Sequence, residues 1–333
     1  MTNRIFWIFV SLALTVTFSA GGSIFAQTAQ TNLLRSLPPS DAVALVDVKR
    51  VINEAVPKVL ASNPTKLNEV NAQLERFKSR TGLDPHSFNT LAVGMRYTYP
   101  RAGITKVESV GLAEGTFNPA ALAAAGRVAA DGKYREEKYK EKVIYIFRLE
   151  DHIKLFGVLD LRFSELAVSP LTNTTLALGD LESVRAVIDL GNAPQNANAE
   201  LISLALRQPN AIVSFGGNVS PALLENLRIG NDAIAKDVSS VKQVYGSVGM
   251  SAADLELFAA ARTTSADAAR NLGETVEGLK QLGALFIHRL PAAKALLARS
   301  ALTNLKVTTS GNELQISTGV AQADLAPLVT GRE

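Results

Sequence analysis

The sequence predicts an α+β protein: two similar halves, each a mainly antiparallel sheet with helices packed on one face, preceded by an N-terminal signal peptide. Three observations predict it. Short runs of alternating apolar and polar residues follow one another directly, separated by turn residues, as hairpins require. Between them lie segments with apolar residues at helical spacing, opened by Ser, Asn or Pro signals. Strand–strand–helix units then recur in both halves, which favours layered antiparallel sheets. A doubly wound parallel sheet fits less well, because too many strands follow one another without an intervening helix.

The chain opens with "MTNR", a short positive start, then the apolar run from Ile5 to Ala20, then "GGSIFAQ". This is the tripartite pattern of a secretory signal, here residues 1–26, with cleavage near Ala26. A spanning helix wants about 20 apolar residues, and this run is shorter and meets Gly21-Gly22. The expectation is export to the periplasm or the extracellular space. Trp7, the single tryptophan, would leave with the signal. No later segment is long and apolar enough to span a bilayer, so no stable membrane insertion is expected after cleavage.

The first half is expected over 31–190. A strand runs from about Ala42 to Val48, and a helix begins near Lys49 and pauses at Pro57. Leu67, Val70, Leu74 and Phe77 recur at helical spacing in the next segment, which Gly82 ends. "FNTLAVGMRYTY" and "GITKVESVGLAEGTF" read as two antiparallel strands about "PRAG". Asn118 followed by Pro119 is a preorganised helix start. "KYREEKYKEK" mixes both charges and reads as a solvated hairpin or strand edge. Further strands are expected in "EKVIYIFRL", "ELAVSP" and "NTTLALGD", and a helix in "LESVRAVIDL". The small, polar stretch Gly191 to Glu200 is the domain boundary.

The second half, 200–330, begins again with a strand, "NAIVSFGG", and a helix start at Ser220-Pro221. "KQVYGSVGM" and "DLELFAAART" form the next pair of strands. Ser265 caps a long helix in which Ala268, Leu272, Val276, Leu279, Leu282 and Phe286 share one face, read as a core-facing stripe. "LTNLKVTTSGNELQISTGV" is a hairpin turning at Ser310-Gly311-Asn312. The recurrence of these units suggests an internal duplication.

"GTFNPAALAAA", "KYREEKYKEKVIYIF" and "LALGDLESVRAVIDLGN", with "LELFAAARTTSADAARNLGETVEGL" and the C-terminal hairpin, resemble uncharacterised exported bacterial α+β repeat proteins of the domain-of-unknown-function type. The resemblance implies an exported, repeat-built α+β protein. It supplies no catalytic residues.

Composition narrows the chemistry further. The chain has no cysteine, which removes disulfides, thiolate metal sites, cysteine nucleophiles and a lipoprotein anchor. Its formal charge of +3 in 333 residues is no nucleic-acid footprint, so no nucleic-acid partner is expected. Tyr134, Tyr139, Tyr145 and Phe147 with nearby lysines read as amphipathic strand residues. The three histidines, His86, His152 and His288, stand at no metal-ligand spacing, and no phosphate loop or calcium loop occurs, so neither metal nor cofactor is expected. Ser239-Ser240-Val241-Lys242 matches Ser-x-x-Lys but lacks the partner Lys-Thr-Gly strand. Gly216-Gly217 reads as a bulge or close packing.

The expectation is therefore a non-enzymatic exported binding or interaction module, with an unknown protein or small molecule as partner and the cleft between the halves as the place to look. The alternative is a secreted hydrolase centred on Asp151-His152, where a carboxylate beside the imidazole could make a base.

Overall fold

The structure is a computed structural model and describes residues 24–81, 84–101, 104–129, 134–148, 153–155, 159–161, 165–191, 198–225, 230–251, 254–290 and 292–321. Its centre is one antiparallel sheet of twelve strands, ordered β13-β14-β12-β11-β10-β1-β2-β3-β9-β8-β5-β4. In chain order these are β1 (Ala42–Asp47), β2 (Phe88–Arg101), β3 (Ile104–Gly115), β4 (Tyr134–Tyr139), β5 (Lys142–Arg148), β8 (Glu165–Pro170) and β9 (Thr175–Gly179). They are followed by β10 (Ala211–Asn218), β11 (Val241–Met250), β12 (Asp254–Thr263), β13 (Lys306–Ser310) and β14 (Glu313–Ala321). A separate short pair, β6 (Ile153–Leu155) and β7 (Leu159–Leu161), completes the strands described.

The α+β class and the antiparallel pairing are as the sequence predicts. One sheet per half is not what forms. β1 pairs with β10 through Val43↔Gly216 and Leu45↔Ser214, so the sheet runs unbroken across the expected boundary. Of that boundary segment, 192–197 lie outside the described residues. Its far end is fixed: buried Asn198 accepts a hydrogen bond from Ser40 N at 2.9 Å and donates from Nδ2 to Pro38 O at 2.9 Å.

Helices also cover both faces of the sheet, not one. On the first face lie α1 (Ile24–Arg35), α6 (Leu181–Leu190) and α7 (Ala199–Ala205). Leu34, Leu37, Val43, Leu45, Leu112, Val184, Leu201 and Ile202 close a common core there. On the other face lie α9 (Asp232–Ser239), α10 (Ala266–Phe286) and α11 (Ala292–Thr303). There Leu272 and Val276 meet Leu314, Val244 and Ala261. Val59, in the short helix α3 (Val56–Val59) that follows α2 (Val48–Arg50) and a π turn, joins Leu297 and Val320 on this same face. The reason is in the strands. β3 buries Val110 to Ala113 consecutively, and a strand buried at successive positions must be covered on both sides.

Local signals mostly hold. Asn118 Oδ1 accepts from Ala120 N at 2.9 Å to open α5 (Pro119–Ala129), and Ser265 Oγ accepts from Ala268 N at 3.1 Å to open α10. Gly311, at φ +57°, makes the turn between β13 and β14. Gly216 marks close packing: a Cβ there would stand 2.6 Å from the Leu201 carbonyl of α7. The charged hairpin forms β4 and β5, and β4 is a sheet edge whose Arg and Glu side chains discourage further pairing.

Two helices bury less of their apolar stripe than the sheet-facing side of a core helix would. α4 (Pro64–Thr81) packs on α5 rather than on the sheet, so Leu67, Val70 and Leu74 are half-buried and Phe77 is exposed. The stripe of α10 is buried through Leu272 and partly through Val276, but Leu279, Leu282 and Phe286 are exposed. Periodicity predicts the helix and its apolar side. It does not say how far the sheet extends beneath it.

Candidate functional site

Beyond α7, polar residues gather on the first face of β11, β12 and β14. Gln243 of β11 stands directly opposite Arg262 of β12, which stands directly opposite Glu313 of β14. Three neighbouring strands thus carry a donor-acceptor row at one level. One level along, Tyr245 faces Ala260, which faces Gln315. Alternation along each strand sends these side chains to the same side of the sheet.

Glu313 is the hub, with only 10% of its side chain exposed. Its Oε1 accepts from Arg262 Nε at 2.7 Å, and Arg207 Nη1 lies 2.9 Å from both carboxylate oxygens. Tyr245 Oη donates to Oε2 at 3.0 Å and itself accepts from Arg207 Nη1. Burial works against the charge on Glu313. The hydrogen bonds from Arg262, Arg207 and Tyr245 outweigh it and hold the carboxyl at about 2. Tyr245 moves the other way: burial, then the Glu313 charge, pushes the phenol up to about 12.

The elements that position these groups are clear. Arg207 follows the end of α7, whose Leu204 packs on Tyr245 and Phe258, and its guanidinium lies 5.2 Å over the Tyr245 ring. Glu200, in the first turn of α7, accepts from Arg262 Nη1 at 3.0 Å, and Gln243 Oε1 accepts from the same nitrogen at 3.2 Å. Gln243 Nε2 in turn donates to Asn218 Oδ1 at 3.1 Å.

This row forms one wall of an open cleft of about 540 Å³, lined by Glu200, Lys242, Gln243, Arg262, Thr263, Thr264, Asn312 and Glu313. Thr263 N donates to Asn312 O at 2.9 Å, and Asn312 Nδ2 donates to Thr263 O at 3.2 Å, which ties the two turns at its rim. Among the described residues the Lys242 ammonium and the Thr264 hydroxyl have no side-chain partner. With Arg207 and Arg262 set against Glu313 and Glu200, Lys242 leaves the region with one excess positive charge. The cleft therefore sets the Lys242 ammonium and the Thr264 hydroxyl beside a polar row whose own hydrogen bonds are made within the protein.

The residues singled out in the sequence do not meet here. Asp151 and His152 lie outside the described residues. His86 follows the Asp84 turn and stands 3.1 Å from Asn53 Oδ1 at an exposed position. His288 is exposed on the turn Ile287–Arg289. Among the described residues no group of His, Asp and Glu is arranged to hold a metal ion. Ser239 and Ser240 end α9 rather than start a helix and donate to Lys236 O and Asp237 O, so the Ser-x-x-Lys match carries no nucleophile geometry. The tyrosines of the charged hairpin are held structurally: Tyr139 Oη donates to Asp189 at 3.0 Å, and Tyr134 stacks on Phe147. What sequence reasoning missed is the pair Arg262 and Glu313, 51 positions apart. The one signal is an arginine closing the otherwise apolar run "LFAAAR" and a glutamate opening a strand straight after a turn.

No protein-family model and no curated protein matches the chain. Among solved structures it is similar to TP0453 in three crystal forms. Form III is 10% identical, covering 90% of this chain and 98% of that one, with a TM-score of 0.45. Form IV is 11% identical, covering 92% and 99%, at 0.43. Form I is 8% identical, covering 90% and 96%, at 0.41. A likeness this distant leaves the chemistry of the chain to its own residues.

Proposed function

We propose that the protein is an exported binding module, not an enzyme, and that the cleft beside Arg262 and Glu313 holds a small polar or anionic ligand. The observation that carries this reading is the prearranged polar row over β11, β12 and β14, which sets a lysine and a threonine without side-chain partners among the described residues at the rim of one cleft. Ion pairs to Glu313 and Glu200 fix Arg262 in one orientation, so a ligand would not have to order it. The site lies over β11, β12 and β14 and not beside β1 and β10, where the two expected halves join.

Export rests on the tripartite N-terminus, residues 1–26. The duplication reading is supported by strand order: from the central pair, β1-β2-β3 runs outward on one side and β10-β11-β12 on the other.

Native mass spectrometry of the protein purified from its host's envelope tests the proposal. The expected result is an added mass that survives gentle ionisation, vanishes on denaturation and is missing from a Lys242→Ala/Thr264→Val variant. A bare chain mass from that preparation would count against a tightly held ligand.

A further inference from the structure

The apolar stripe of α10 outlasts the sheet it packs on. As far as Val276 it is met by Leu314, Val244 and Ala261. Past Gly278 it continues as Leu279, Leu282 and Phe286, with Leu285 alongside, at exposures of 37, 53, 47 and 65%. Leu296 of α11, which follows the turn Ile287–Arg289, adds a fifth at 43%. Single exposed leucines are ordinary, but a row of apolar side chains at helical spacing marks a contact surface.

Charge identifies what covers it. From Gly278 to Leu305 the chain has no Asp or Glu, while it carries Lys280, His288, Arg289, Lys294 and Arg299. The acidic residues of α10, Asp267, Glu274 and Glu277, all precede this segment, and among the described residues Lys280 alone of its cations reaches back to one, Glu277, at 3.5 Å. Arg289 holds its guanidinium 4.9 Å over the Phe286 ring, so a cation and an aromatic are presented together, and Arg299 is exposed on α11. Leucine and phenylalanine on one side, arginines without an acidic neighbour in the segment, and helices lying against a sheet are the features of a segment that rests in the headgroup region of an anionic bilayer.

We propose that the C-terminal part of α10, with α11, docks reversibly on an anionic lipid surface. The Leu279, Leu282, Leu285 and Phe286 row enters the acyl boundary, and Arg289 and Arg299 meet the headgroups. The segment lies along the surface and does not cross it: no helix among the described residues is long and apolar enough to span. The proposal stands apart from the ligand cleft, which opens on the opposite face of the sheet.

Flotation with vesicles of phosphatidylcholine, alone or with about a third phosphatidylglycerol, tests this. All variants carry the same N-terminus, so its contribution is common to them. The expected result is flotation with the anionic vesicles that weakens with salt, and a loss of about tenfold per leucine in Leu282→Ser/Leu285→Ser. Arg289→Gln/Arg299→Gln should lose the preference for anionic vesicles. Both sites are exposed, and circular dichroism checks that the fold is kept. A local reading comes from Leu285→Trp, whose added emission should shift to the blue with anionic vesicles only. Unshifted emission, or equal flotation of parent and leucine variant, overturns the proposal. So does a concentration-dependent dimer that Leu282→Ser/Leu285→Ser abolishes, which would assign the row to a second copy of the chain.

Discussion

Arg262 and Glu313 occupy directly opposed positions on β12 and β14, and their side chains meet at 2.7 Å on the first face of the sheet. Because Glu313 is also held by Arg207 and Tyr245, its folded carboxyl, at about 2, lies below the ordinary value of 4.5. A carboxyl lowered in the folded state stabilises above its unfolded value, and that contribution is lost as pH falls through the folded one. Urea unfolding between about pH 5 and pH 2 should therefore show about 3 kcal/mol lost through this group. Glu313→Gln should remove that part of the acid slope, and it should lower stability at neutral pH because two guanidiniums lose their partner.

Tyr245 gives the complementary alkaline reading. Its phenol, pushed up to about 12 by burial and by Glu313, should be the last of the six tyrosines to ionise in a near-ultraviolet absorbance titration. The sign is opposite: the neutral phenol is favoured in the fold, so its contribution is complete below about pH 10 and is lost as pH rises through about 12. Tyr245→Phe should delete the latest phase and leave the earlier ones.

Asn198 ties the segment before α7 to the entry of β1, using both ends of its amide on Ser40 N and Pro38 O. Asn198→Ala leaves an amide and a carbonyl without partners at a buried position. The expected loss is about 1–3 kcal/mol by thermal or urea unfolding. Asn198→Asp should keep the acceptor for Ser40 N, lose the donor to Pro38 O, and fall between the two.

Two glycines should respond in opposite directions. At Gly216 an added Cβ would meet the Leu201 carbonyl at 2.6 Å, so Gly216→Ala must push α7 from the sheet and should cost about 1–3 kcal/mol. At Gly278, in the middle of α10, nothing lies within 4 Å of that position. Gly278→Ala should stabilise by about 1 kcal/mol, the ordinary helix difference between the two residues.

Release of the signal near Ala26 would start the mature chain at Gln27, inside α1. That leaves Leu33, Leu34 and Leu37, the residues by which this segment enters the core. Mass spectrometry of the mature protein should give a start at or close to Gln27 and no tryptophan. Leu34→Ala, at a fully buried position, should cost about 2–5 kcal/mol.

What the sequence by itself determined is local. Helix starts at Asn118 and Ser265 follow from side chains that satisfy the nearest free amides, and the turn at Gly311 from the left-handed backbone that glycine accepts. Strand alternation placed the hairpins within a residue or two, since an exposed β ribbon must send its apolar residues to one side. The continuous apolar runs around Val110 and Leu176 already carried the information that both faces of the sheet are covered. Only the tertiary structure decided the rest. It joined β1 to β10 and so made one sheet of two halves, because pairing between strands so far apart in the chain leaves no local trace. It stopped the sheet beneath α10 near Val276, which turned a core stripe into a surface. And it set Arg207, Arg262 and Glu313 together: an ion cluster around a buried carboxylate is specified by register across strands, and register is a property of the assembled sheet rather than of any stretch of chain.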